Sequence, residues 1–263
     1  MRIGFIQFDC KFGETEVNLR KMKILLSQES TDLWVAPELC HTGYLFQKKE
    51  ELEKLAEEIP NGPTTQFFIE QAKRYNTTIV AGVAERDGDS FYNSSVCVNG
   101  TQGFLGKYRK VHLFDREKLF FEPGNLSFNV IDIGPYKLGM MICFDWIYPE
   151  AARSLALLGA DIICHPSNLV LPYCQDAMIT RCLENRVFAI TANRIGTENR
   201  GALTLRFTGQ SEIVSPKGDL LAKAGVNSEE AQFVTINPAD ARDKHATPQN
   251  PLFKDRNTDL YTL

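Results

Sequence analysis

A glutamate, a lysine and a cysteine, each at the end of an apolar run or close after one, form the set in this chain most able to do chemistry. Glu38 lies in Pro37-Glu38-Leu39, Lys110 in Lys107-Tyr108-Arg109-Lys110-Val111-His112-Leu113, and Cys143 in Met141-Ile142-Cys143-Phe144-Asp145-Trp146. A free thiol is mostly protonated at neutral pH, with a reference pKa of about 8.5. A carboxylate beside it can take the proton as the sulfur attacks, and an ammonium can hold the oxyanion that forms. The three groups together suit attack on an amide-like carbon.

Each residue also has a plainer use. A free cysteine is most often a small buried hydrophobe, and Glu38 could cap a helix or sit in an ion pair. Lys107 to Lys110 reads by default as a solvated basic loop, with Arg109 equally suited to a structural ion pair. His112 is the alternative base, because Cys-His pairs are common in thiol hydrolases. No histidine here stands in a Cys-His protease signature, however.

The elements that must position these groups read as alternating strands and helices. Strand-like runs cover residues 3–8, 33–36, 78–84, 94–98, 128–133, 138–143, 161–164, 188–192 and 211–214. Helical periods place Leu19, Met22, Leu25 and Leu26 on one face, then Phe68, Ala72 and Tyr75, then Ala152, Leu155 and Leu158 behind Pro149. An α/β chain with more strands than helices suits a four-layer α-β-β-α sandwich, two sheets face to face with helices outside. Asp32-Leu33-Trp34-Val35-Ala36-Pro37-Glu38 is echoed by Asp161-Ile162-Ile163-Cys164-His165-Pro166-Ser167. Residues 92–98, followed by Lys107, are echoed by 208–214, followed by Lys223. These echoes predict two pseudo-symmetric halves, with Glu38 and Pro166-Ser167-Asn168 at equivalent strand ends across one cleft. Cys143 then precedes a helix opened by Pro149, a turn that exposes a side chain and favours thiolate.

At 263 residues, 43% hydrophobic and 24% charged, the chain suits one domain over 1–263, with a polar tail from about residue 239 ending in Leu260-Tyr261-Thr262-Leu263. A net charge of -4 and a pI near 5.7 argue against nucleic acid or an anionic membrane as partner. The N-terminus reads as a first strand with no signal-peptide core, and no run approaches the ~20 apolar residues of a membrane span; a cytoplasmic location is expected. Seven cysteines and four histidines show neither Cys-x-x-Cys nor any metal-ligand spacing. No metal is expected.

Taken together, PELCHTGY, GKYRKVHLF and MICFDWIYPE resemble the nitrilase superfamily of carbon-nitrogen hydrolases, in which the motifs run in the same order. The resemblance covers most of the chain. It implies Glu38 as general base, Lys110 as transition-state stabiliser, Cys143 as nucleophile and Glu117 as the second glutamate near the lysine. Glu122, in a Phe-Glu-Pro-Gly setting, reads as a turn instead. It further implies the α-β-β-α fold, no cofactor, a small-molecule amide or nitrile substrate, and a homodimer or higher homo-oligomer built through a helix over 176–186. The oxyanion would rest on Lys110 and the Phe144 backbone N–H.

Many relatives that act on carboxylate-bearing amides carry an arginine shortly after the cysteine, where this chain has Trp146, Ile147 and Tyr148. Nitrilases proper tend to have Trp-Glu there, where this chain has Phe144-Asp145. Small neutral amides are therefore the expected substrates, with nitrile and N-carbamoyl hydrolysis as alternatives. If a carboxylate-bearing compound is preferred, Arg194 or Arg206 is the first candidate to line the pocket. Tyr44, Phe121, Trp146, Tyr148 and Asn168 are candidates for the pocket wall, with core packing as their other use. Two further readings are an idle scaffold of the same fold, which would be expected to lose one of Glu38, Lys110 or Cys143, and a glutaminase module, for which no fused partner domain is seen.

Overall fold

The computed structural model describes residues 1–262, and Leu263 of the expected tail lies outside the described residues. The first sheet holds β1 (Arg2–Gln7), β2 (Leu33–Val35), β3 (Thr78–Asp87), β4 (Ser90–Asn99) and β5 (Gly103–Arg109), with β14 (Glu230–Thr235) outside β1. Here β1, β2 and β3 are parallel, and β4 and β5 follow antiparallel. The second sheet repeats this plan. Its β7 (Lys137–Met140), β8 (Ile162–Pro166) and β9 (Phe188–Ala192) are parallel, and β12 (Glu212–Val214) and β13 (Leu220–Lys223) are antiparallel. An extra antiparallel strand again lies beside the first: β14 on β1, and β6 (Val130–Asp132) on β7. The sequence echoes fall on equivalent strands, β2 with β8 and β4 with β12. The fold is the α-β-β-α sandwich with pseudo-two-fold halves that the sequence predicts.

Period-two alternation explains the layers. On the first sheet Ile3, Phe5, Leu33, Val35 and Val80 face inward against Leu138, Met140 and Ile162 of the second. Ile6, Trp34, Ile79 and Ala81 face outward and are covered by Met22, Leu26 of α1 (Thr15–Leu26) and Phe68, Ala72 of α3 (Pro63–Tyr75). On the other side α4 (Pro149–Leu157) contributes Ala152 and Leu155, and α5 (Cys174–Asn185) contributes Met178 and Cys182. A short α2 (Lys49–Leu55) and the hairpin of β10 (Thr197–Arg200) and β11 (Leu203–Arg206) lie near the strand ends that carry the site. No helix of the described residues is long and apolar enough to cross a membrane. After residue 239 the chain lies on its own domain: Arg242 meets Asp161 at 3.2 Å, and Lys244 donates to the carbonyls of Asn185 and Arg186.

Two expectations need correction. Residues 107–109 are the end of strand β5, not a solvated loop. Their charges are satisfied inside the protein, since Lys107 and Arg109 both pair with buried Glu85, and Arg109 also with Asp87 at 2.6 Å. The run 138–143 stops being strand at Met140, because Cys143 opens a 3-10 turn (Cys143–Ile147) in the left-handed region, at φ 41°.

Glu212 on β12 is buried beside Cys174 and Cys182 of α5, its Oε1 without a partner, and burial raises its carboxyl to about 8. In the unfolded chain that group ionises near 4.5. The unfolded state therefore releases its proton first, and stability falls as pH rises through this window. Calorimetric Tm should decline between about pH 5 and 8, and Glu212→Gln should flatten the decline. Parallel profiles for the two proteins would place its origin elsewhere.

Candidate active site

Strand direction brings the candidate groups to one rim. Glu38 follows the C-terminal end of β2, Cys143 that of β7, and Asn168 that of β8. Lys110 follows β5, which two antiparallel reversals return to the direction of β3. Gly82 on β3 lets the Glu38 turn close in: a Cβ there would lie 2.4 Å from the Glu38 Cα. The next residue, Leu39, is left-handed at φ 45°.

Glu38, Lys110 and Glu117 are buried and joined through the ammonium. Lys110 Nζ donates to Glu38 Oε1 and to Glu117 Oε1, each at 2.7 Å. Asn93 Nδ2 also donates to Glu38 Oε1, at 2.7 Å, and the Tyr44 hydroxyl to Glu117 Oε1, at 2.6 Å. Glu38 Oε2 has no hydrogen-bond partner. One carboxylate oxygen is thus held by two donors while the other is free to take a proton.

Burial alone would push the Lys110 ammonium down, but Glu117 and Glu38 outweigh it and hold the proton on more tightly than in water. Burial raises Glu117 to about 7, with Lys110 opposing the rise. Burial, with the nearby Glu38 charge, pushes the Cys143 thiol well above its usual range. The resting thiol is therefore protonated, and a nucleophilic role requires a base at the moment of attack.

Cys143 sits where a backbone conformation unfavourable to an L-residue is imposed, at a cost on the order of 1–3 kcal/mol. Its turn is anchored from several sides. Asp145 Oδ2 accepts from Ile142 N at 2.8 Å and from the Tyr108 hydroxyl at 2.9 Å, and Arg181 of α5 donates to the Trp146 carbonyl at 3.2 Å. Arg181 stands on the helix over 176–186 that the resemblance places at a subunit interface, and within this chain it ties that helix to the Cys143 turn. Asn168 contributes twice, donating from Nδ2 to the Glu38 carbonyl at 3.0 Å and from its backbone toward the Cys143 thiol.

A small cavity of about 20 Å3 holds Cys143, with Phe144, Trp146, Asn168 and Leu169 in its wall. A second, of about 70 Å3, is lined by Tyr44, Glu117, Phe121, Leu203 and Leu205, and Phe114 borders both. Of the expected wall residues, Tyr148 stands apart. It is exposed, stacks on His112 at 3.7 Å, and lines an outer groove with Lys118 and Leu119. His112 in turn is tied by Nδ1 to Asp145 Oδ1 at 2.7 Å. A wider depression, about 530 Å3, lies between Met1, Asp32, Tyr136 and Arg242 and holds none of the candidate residues.

Neither arginine singled out from the sequence lines either cavity. Arg194 is buried in an ion pair with Glu198, 4.0 Å from the Phe207 ring, and Arg206 is exposed on β11. Arg116 does line the 70 Å3 cavity, its Nε buried without a partner and, among the described residues, its guanidinium in no ion pair. Asn93, Arg116 and His165 went unrecognised in the sequence; only Arg116, one residue before Glu117, had a positional cue. Among the described residues no group of three or more His, Cys, Asp or Glu side chains could hold a metal.

The sequence profile of the carbon-nitrogen hydrolase family matches residues 2–246. The chain belongs to that family. A protein named nitrilase from Pyrococcus abyssi is 47% identical over 99% of both chains. An (R)-stereoselective amidase from a Pseudomonas species is 34% identical over 86% of this chain and 81% of its own. The crystal structure of a carbon-nitrogen hydrolase from Helicobacter pylori superposes with a TM-score of 0.89 at 28% identity, covering 99% of this chain and 97% of the other. Family and fold therefore agree with the resemblance carried by the three motifs.

Proposed function

We propose that this carbon-nitrogen hydrolase cleaves small amides through a thioester on Cys143, with Glu38 as base, Lys110 as oxyanion holder, and Glu117 with Tyr44 fixing the lysine. The observation that carries this reading is the shared ammonium: Lys110 holds one oxygen of Glu38 and leaves the other without a partner, near enough to the protonated thiol for its charge to act on it. Sγ attacks the amide carbon as its proton passes to Glu38 Oε2, and the carbonyl electron pair moves to an oxygen held by Lys110 Nζ and the Phe144 N–H. Collapse breaks the C–N bond while Glu38 returns the proton to nitrogen, and ammonia leaves. Water then attacks the thioester, giving its proton to Glu38, and the C–S bond breaks as Glu38 passes that proton to sulfur, which releases the carboxylic acid and restores the thiol and the carboxylate. Relatives named nitrilase and amidase support this bond class and leave the choice between amide and nitrile to experiment.

Around the thiol the wall is Phe144, Trp146, Leu169 and Leu171, with no arginine. A carboxylate buried there without a cation would be penalised by several kcal/mol, and ~3 kcal/mol is roughly a hundredfold in selectivity. Ammonia release from propionamide, propionitrile, N-carbamoyl-glycine and succinamic acid should show propionamide with the highest kcat/KM. A second reading is favoured by unpaired Arg116 at the far cavity, which could receive a distal carboxylate. In that case succinamic acid leads and loses its lead in Arg116→Ala, and the neutral preference falls.

A further inference from the structure

His165 is a buried titratable group that the steps above do not use. It lies on β8 with Nε2 2.9 Å from the Cys143 carbonyl oxygen and Nδ1 3.1 Å from Thr191 Oγ1. A carbonyl only accepts, so Nε2 carries the hydrogen, and Nδ1 of the neutral ring accepts from the Thr191 hydroxyl. Burial holds the ring at about 4, which keeps it neutral at physiological pH. Ser167 Oγ, 3.1 Å from the same Nε2, donates to the His165 carbonyl at 3.2 Å and braces the ring.

The carbonyl gripped by His165 belongs to the same planar peptide unit as the Phe144 N–H. In a trans peptide the two bonds point in opposite directions, so fixing one aims the other. Phe144 stands in the first turn of the 3-10 segment, where N–H groups lack intrahelical acceptors, and among the described residues its N–H donates to no protein acceptor. We propose that His165 is a positioning residue for the oxyanion site: holding the Cys143 carbonyl from behind, it aims the Phe144 N–H at the oxygen that becomes negative when Sγ attacks. The left-handed Cys143 makes this grip necessary, since nothing in the intrinsic preference of a cysteine keeps that peptide plane in place. Donors act on a developing charge only if already aimed at it.

The inference rests on Cys143 being the nucleophile, and two probes separate the failures. Propionaldehyde forms a hemithioacetal on the thiol and loads the oxyanion site, whereas iodoacetamide alkylates the sulfur by displacing iodide and creates no oxyanion there. His165→Leu should weaken propionaldehyde binding on the order of 100-fold while the alkylation rate of Cys143 stays within about threefold of wild type. His165→Gln, whose amide nitrogen stands near the place of Nε2, should recover most of the binding, and His165→Asn, which reaches only as far as Nδ1, should not. The Gln and Asn pair carries the test if the leucine variant does not fold. Equal aldehyde affinity in Gln and Asn, or a loss of alkylation matching the loss of aldehyde binding, overturns the proposal. A wild-type protein that takes neither reagent at Cys143 overturns the nucleophile reading, and this inference with it.

Discussion

Cys143→Ala is expected to abolish turnover, by at least about 10^4-fold in kcat, because losing the nucleophile removes the covalent route and leaves only binding and oxyanion stabilisation. The fold should hold. Cys143 is nearly buried at 5% exposure, and removing one sulfur should cost only about 1 kcal/mol of burial. The other six cysteines are also buried and free, so a raised thiol pKa does not single out Cys143. What does is its company: a carboxylate with a free oxygen, a fixed ammonium, and a left-handed turn that presents the side chain. Mass spectrometry of the wild type with a slow amide should place an acyl adduct on the peptide holding residue 143. An active alanine variant, or an adduct on Cys164 or Cys174, would defeat the assignment.

The parts legible in the sequence are those in which a residue's neighbours along the chain decide its fate. Leu33 to Ala36 and Phe188 to Ala192 read as strands because both faces are buried and the runs are apolar except at Thr191. Glu38 and Cys143 are visible because each follows such a run. Strand β5 was not legible: it carries Lys107 and Arg109, whose partner Glu85 lies on β3, two strands away. Ion pairs between distant segments leave no local pattern, so charge read as solvent exposure. The same reasoning hides Arg116, which resembles any solvated arginine until Phe114 and Tyr44 enclose the space beside it. His165 reads as one more residue of a buried strand, because its role depends on a carbonyl 22 residues upstream. The left-handed turn at Cys143 is equally silent, since no glycine marks it.

Glu38→Gln should lower kcat by about 10^2–10^4, the usual range for a general base, with little change in Tm. The two effects separate because the two oxygens of Glu38 do different work. Oε1 accepts from Lys110 and Asn93, and the glutamine carbonyl can accept the same two bonds. Oε2 has no partner to lose, yet it is the atom that would receive the thiol proton, and an amide nitrogen in its place cannot do so. Lys110→Met is the instructive contrast. It leaves Glu38 and Glu117 facing each other in a buried site without their shared cation, a change of the kind that costs about 3–5 kcal/mol, so activity and Tm should fall together. A Gln variant within tenfold of wild type in kcat, or one that melts as early as Lys110→Met, would show that Glu38 serves the lysine and not the sulfur.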